Sequence, residues 1–408
     1  MIGQIIKSRC DVDLYKFSMA QAVFHNYTDC YARYELTIRK TDIDFSKHID
    51  FIKHQIGLME NLKFRSHELT TMNKRLPFLK NDFFQYLNNS FLNTDFIDVS
   101  ASQKDGGINI VIEGPWLDTI WFEIPILSIL SELNSRIQLE NVFGVNFHEI
   151  KNEAKNILKN KIEKACDKYN LDKFPDFADF GTRRRASADL HRYILEFLKN
   201  SKYDCCIGTS NVMLGIDLNM KMIGTMAHEW IMAHAGFTRF DLSQKMALDV
   251  WQKEYRDQLG VALTDTYTTD FFLKDFDALL AKSFSGIRQD SGDPKETGYK
   301  FIRHYESLGI DPSTKTIIFS DGLDFDKMAE LYNEFNGKIK VGFGIGTNLT
   351  SDLRNYMKPL NAVIKMTHIK RGNEVWWPLI KISDSPGKTI CNDEKYKEFI
   401  MGLVNNRI

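Results

Sequence analysis

The chain has 408 residues, 43% of them hydrophobic and 12% aromatic, which excludes a disordered or fibrous protein and leaves room for two or three domains at roughly 150 residues each. Fifty-three Lys and Arg stand against 54 Asp and Glu, a formal charge of −1, so there is no excess of cations for non-specific nucleic-acid binding. The most apolar stretch, around residues 121–133, carries Glu123 and Pro125 and falls short of a membrane span.

The N-terminus, MIGQIIKSRCDVD, turns polar too soon for a signal peptide. The six cysteines show no CxxC pair and read as reduced thiols. Together these features predict a cytoplasmic location.

Residues 13–24 (DLYKFSMAQAVF) have a helical apolar period, and residues 31–38 (YARYELTI) alternate as a strand. Residues 51–62, residues 73–86 and a Gly106-Gly107 turn before INIVIEG complete an α+β pattern. The charge-rich segment 147–169 follows IPILSIL and reads as a helix.

From about Phe177 the rhythm changes. FADFGTRRR, YDCCIGTSN, KMIGTMAHE, GVALTDTY, SFSGIRQDSGDP, TIIFSDGLD, KVGFGIGTN and NAVIKM are short apolar runs ending in glycine or polar clusters, separated by helix-like stretches. That order predicts parallel β/α units with functional residues at the strand ends, seven or eight of them closing into a barrel. An open doubly wound sheet is the architectural alternative.

The strand ends carry the candidate chemistry. Gly342–Asn348 (GFGIGTN) offers closely spaced backbone N–H groups to an anion, with a helix expected near residues 350–352. It matches neither a Walker sequence nor a Rossmann GxGxxG. Arg183-Arg184-Arg185 suits an anionic substrate, or else a solvated face. Arg288, Asp290 and Asp293 crowd around Gly292, while Asp265 and Asp321 sit at matching strand ends. Such carboxylates point to Mg²⁺ or sugar hydroxyls, or cap the next helix. His228 and His234 are six residues apart, which places them off one helical face and disfavours a zinc protease.

Seven of these blocks in order, FGTRRRAS, GTSNVMLG, GTMAHEW, ALTDTYTTDFF, RQDSGDP, FSDGLD and FGIGT, resemble nicotinate phosphoribosyltransferases of the bacterial type. The likeness runs from DLYKFSMAQAVF to KISDSPGKTICND. It implies an irregular β/α barrel of the type II phosphoribosyltransferase kind over residues 126–365. An N-terminal α+β domain, residues 1–125, would be completed by residues 366–408, and the protein would be a homodimer with shared active sites.

The implied reaction joins nicotinate to 5-phosphoribosyl-1-pyrophosphate, with Mg²⁺, coupled to ATP hydrolysis. The resemblance implies that Phe180 stacks on the pyridine ring opposite Tyr15 of a partner subunit, with Asp13 beside it. Arg183 and Arg288 would hold anionic groups, Asp290 and Asp321 ribose hydroxyls or Mg²⁺, and Gly344, Gly346 and Thr347 the 5′-phosphate. His228 would be the phosphorylated histidine, oriented by Asp265.

Ser210 in GTSN stands where nicotinamide-using relatives carry Asp, and an Asp would repel a carboxylate, so nicotinate is expected rather than nicotinamide. Ala227 precedes His228 and Glu229 follows it, which leaves open the carboxylate that orients the imidazole. A nicotinamide phosphoribosyltransferase and a metal-dependent barrel hydrolase of phosphosugars are the alternatives, the latter without an HxH pair to build its site.

Overall fold

A computed structural model describes residues 3–140, 144–353 and 355–407. In chain order, the helix Leu14–Asn26 leads into β1 (Cys30–Ile38), and helices 49–57, 66–75 and 81–89 precede the hairpin β2 (Ile97–Ala101) and β3 (Ile108–Pro115). The stretch 73–86 is divided between two helices because Pro77, which has no N–H to give, lies between them.

Helices Glu123–Gln138 and Phe147–Tyr169 follow. Seven strands come next: β4 (Phe177–Asp179), β5 (Cys206–Thr209), β6 (Lys221–Met222), β7 (Val261–Leu263), β8 (Gly286–Gln289), β9 (Thr316–Phe319) and β10 (Lys340–Ile345). The chain ends with β11 (Ala362–Arg371), β12 (Trp377–Pro378) and the helix Glu394–Arg407.

The seven short strands form one parallel sheet in the order β6-β5-β4-β10-β9-β8-β7. β6 and β7 share no ladder, but Thr225 Oγ1 just after β6 donates to the carbonyl of Val261 at 3.1 Å, so the curled sheet is an irregular barrel. The second sheet is antiparallel, β12-β11-β1-β3-β2. NAVIKM, the last of the eight apolar runs, therefore belongs to β11 in this sheet and not to the barrel. β11 pairs with β1 along its length, Ala362 opposite Ile38 and Arg371 opposite Cys30.

Two sets of contacts join the layers and thereby position the site. First, the segment before the N-terminal helix is stitched to the loop after β5. Leu14 N–H donates to Ser210 O at 2.8 Å, Val212 N–H to Val12 O at 3.0 Å, and Asp11 takes both arms of the buried Arg185 guanidinium at 2.6 and 2.7 Å. Second, helix His228–His234 is set in an aromatic cluster. Trp230 donates its indole N–H to Ala247 O at 3.0 Å, and His234 bonds Trp230 O and the Tyr27 hydroxyl at 2.6 and 2.9 Å. His234 is thus a satisfied core residue. No helix among the described residues is long and apolar enough to cross a membrane.

Candidate active site

The C-terminal ends of the barrel strands open into a cavity of about 550 Å³, the size of a small-molecule site. Its wall includes Asp13, Tyr15, Phe180, Arg183, Ser210, His228, Arg288, Asp290, Asp321, Gly346 and Thr347. The chain's own Tyr15 lines it together with Phe180, where the resemblance implied a tyrosine from a partner subunit. Two expected residues lie off the wall: Asp265 is buried behind His228, and Gly344 lies within β10.

Gly344 is needed for packing. A Cβ there would stand 2.2 Å from the Phe180 ring, so the glycine lets that aromatic face seat against β10. Gly344→Ala is expected to cost about 1–3 kcal/mol of stability as the ring is forced aside. Urea unfolding would measure it, and a loss below about 0.5 kcal/mol would show that Phe180 swings away freely. The helix after the glycines is a single turn starting at Thr347, three residues before the expected start at 350.

Of the carboxylates singled out in the sequence, Asp293 caps the next helix, whereas Asp265, Asp290 and Asp321 do not. Thr268, Asp293 and Asp324 accept the capping N–H bonds instead, from Phe271, Glu296 and Lys327. This frees Asp290 and Asp321 for the cavity and Asp265 for the contacts behind it. Arg288 donates to Asp290 Oδ1 and to the Ser320 hydroxyl, both at 2.9 Å, and its guanidinium lies 5.8 Å from the Phe180 ring centroid. Asp321 accepts both bonds of Lys388, at 2.8 Å.

His228 is held on both sides. Nδ1 faces the Thr266 hydroxyl at 3.1 Å, and Nε2 faces Asp290 Oδ2 at 3.1 Å with Asp265 Oδ1 at 3.7 Å. Asp290, not Asp265, is therefore the directly bonded carboxylate. Asp265 is occupied by the Ser291 hydroxyl at 2.6 Å and by Lys381 at 3.5 Å. Glu229 points elsewhere, bonding Lys16, the Tyr34 hydroxyl and the Trp116 indole. Burial, then Lys381, lowers the His228 pKa to about 4, so the imidazole is neutral at pH 7. Burial alone would raise Asp290, but Arg288 and His228 hold it well below the usual carboxylate range.

The arginine run splits three ways. Arg185 is the buried latch on Asp11, Arg183 lines the cavity 3.5 Å from Glu123, and Arg184 also reaches the wall, its pKa pushed down to about 10 by burial. Ser210 donates its hydroxyl to Asp13 Oδ1 at 2.7 Å, and burial raises the Asp13 pKa. The serine is thus already committed to a carboxylate of the protein.

Sequence reasoning missed Arg39, Glu123, Lys365, Lys381 and Lys388, all on the cavity wall. Lys381 and Lys388 flank the strap Ser383–Gly387, which carries no periodic signal. The strap is fastened by Asp384, whose N–H donates to Ser291 Oγ at 3.0 Å and whose carboxylate accepts from Thr269 N–H and Oγ1 at 2.8 and 2.6 Å.

Comparison with known proteins agrees with this geometry. Residues 176–403 match the model of the nicotinate phosphoribosyltransferase (NAPRTase) family and residues 10–131 that of the NAPRTase N-terminal domain. A nicotinate phosphoribosyltransferase of Ectopseudomonas mendocina is 41% identical over 400 residues, covering 97% of this chain and 96% of the relative. Nicotinate phosphoribosyltransferase 1 of Pseudomonas aeruginosa is 40% identical over 405 residues, covering 98% and 97%. The crystal structure of a nicotinate phosphoribosyltransferase from Vibrio cholerae superposes with a TM-score of 0.91 at 36% identity, over 99% of this chain and 94% of that one. With both its N-terminal and its barrel segment matched and a fold shared end to end, the chain belongs to the nicotinate phosphoribosyltransferase family.

Proposed function

We propose that the protein makes nicotinate mononucleotide and pyrophosphate from nicotinate and 5-phosphoribosyl-1-pyrophosphate, and that ATP hydrolysis drives it through a transient phosphohistidine at His228. The names of the relatives support the substrates. The observation that carries the reading is one cavity holding two aromatic walls, Phe180 and Tyr15, beside Arg183, Arg288, Lys365, Lys381 and Lys388.

The chemistry fits those side chains. The ring nitrogen of nicotinate has no proton to lose, so its lone pair attacks C1 of the ribose without a general base. The C1–O bond breaks and its electron pair leaves on pyrophosphate. Catalysis then consists of alignment and of cations aimed at the departing charge. Phe180 and Tyr15 orient the ring, and Arg288 with Lys381 and Lys388 receives pyrophosphate.

Mg²⁺ enters this reading with the polyphosphate and supplies charge neutralisation there. Asp290 and Asp321 offer the hard oxygen donors, and each faces a cation, Arg288 or Lys388, that phosphate oxygens would draw away. The His228, Asp265 and Asp290 ligand atoms lie within 4.8 Å of one another. A hydrolase metal placed there would meet Arg288 and Lys381 directly behind its carboxylates, a charge arrangement that opposes it.

Pyrophosphate and mononucleotide formation, with nicotinate or nicotinamide and with or without ATP, is the direct test. Nicotinate-selective turnover raised by ATP is expected. Turnover of nicotinamide instead would move the chain to the sister activity, and no turnover of either base would sink the proposal.

A further inference from the structure

Ser210 gives its hydroxyl to Asp13, so the carboxylate of the pyridine base needs another receptor. We propose that Lys365, acting with Arg183, binds that carboxylate, and that Glu123 holds the two cations in place for it. The inference rests on the reaction proposed above and assigns the part of the cavity that recognises the base.

Lys365 lies on β11, outside the barrel, yet lines the cavity with its side chain 15% exposed. Its Nζ makes no hydrogen bond to any described residue, and its nearest anion is Glu123 Oε1 at 3.6 Å. Arg183 NH1 approaches the same oxygen at 3.5 Å. Both distances exceed a good hydrogen bond, and Glu123 Oε1 is a buried acceptor with no hydrogen-bond partner among the described residues. The other oxygen of Glu123 is taken by the fully buried Lys16 at 2.9 Å, which also pairs with Glu229.

Glu123 is thus fixed from behind while two cations lean on its front without closing. Burial pushes Lys365 down to about 8 in spite of Glu123, as expected of an ammonium whose charge is only partly balanced. A ligand carboxylate set between the two cations would supply what they lack.

Position favours the base over the phosphates. The Lys16 ammonium that fixes Glu123 lies 5.6 Å from the Tyr15 ring, one of the aromatic walls, so the cation pair adjoins the pyridine slot. The groups expected to hold the 5′-phosphate, Gly346 and Thr347, follow β10 on the barrel.

Steady-state kinetics of Lys365→Met and Lys365→Arg test this, with nicotinate and the phosphoribosyl donor varied separately and nicotinamide used as a neutral competitor. Lys365→Met is expected to raise the KM for nicotinate about 10- to 100-fold, the loss of one hydrogen bond to a charged group. The KM for the donor and the inhibition constant of nicotinamide should not move, and Lys365→Arg should recover part of the loss. A parallel rise in donor KM would reassign Lys365 to phosphate. An unchanged nicotinate KM, or equal weakening of nicotinamide, would reduce it to a packing or charge-balancing residue. Should Lys365→Met fail to fold, Lys365→Arg decides: a nicotinate KM that does not change while the donor KM does overturns the assignment. Absence of nicotinate turnover in the unsubstituted protein would overturn the reaction, and this site with it.

Discussion

Arg288→Ala is expected to lower kcat/KM for the phosphoribosyl donor by about 100- to 1,000-fold, the range found when one preorganised charge-stabilising donor is removed from an active site. The guanidinium is mostly buried between Asp290, Ser320 and the Phe180 ring, so three parts of the cavity lose their common partner. Asp290 would keep His228 and Ser320, at 3.1 and 2.8 Å, which argues for a folded variant with a damaged site. Arg288→Lys should recover little, because a single ammonium cannot reach Asp290 and Ser320 in the forked geometry of the guanidinium. Initial rates at varied donor concentration would measure the effect. A loss of less than about threefold would mean that Arg288 only balances Asp290 and never meets the leaving pyrophosphate.

Much of this site was legible because barrel chemistry collects where strands end. Arg288 and Asp290 at the end of β8, Asp321 beyond β9, Thr347 beyond β10 and His228 beyond β6 all reach the same cavity from runs readable as strand followed by polar cluster. The fold class followed from the same rhythm. What periodicity could not tell was the partner of a strand. NAVIKM has the apolar run of a barrel strand, and only its pairing with β1, more than 300 residues earlier, takes it to the other sheet.

The same blindness hid Lys365, which rides on that strand, and Lys16 and Glu123, which sit on helices whose neighbours are set by tertiary packing. Glycine was ambiguous for a related reason. Gly346 lines the cavity as expected, whereas Gly344 two residues earlier exists to make room for Phe180. Backbone spacing alone does not separate an anion cradle from a close approach of side chain to strand.

His228→Ala is expected to abolish stimulation by ATP, bringing the ratio of rates with and without ATP to about one, while slow phosphoribosyl transfer persists. The geometry explains why one residue should separate the two activities. Nε2 faces Asp290 at 3.1 Å and Asp265 at 3.7 Å, so the single proton of the neutral imidazole belongs there, and the lone pair lies on Nδ1, where Thr266 now donates. Attack of Nδ1 on the terminal phosphorus of ATP would expel ADP and leave positive charge on the ring. Asp290 is placed to stabilise that charge, as the buried carboxylate of a serine-protease triad does for its imidazolium.

A histidine with a pKa of about 4, below its ordinary 6.5, is ready for this at neutral pH. In the window between those values the unfolded chain takes up the proton that the folded site refuses, so stability falls as pH drops through it. The His228 imidazole is not required for the lone pair of nicotinate to reach the ribose, because that nitrogen needs no base. Rates with and without ATP, together with acid-labile phosphate on the protein after exposure to ATP, would decide the matter. ATP stimulation that survived in the alanine variant would remove His228 from the coupling and leave Asp290 to hold Arg288 and Ser320.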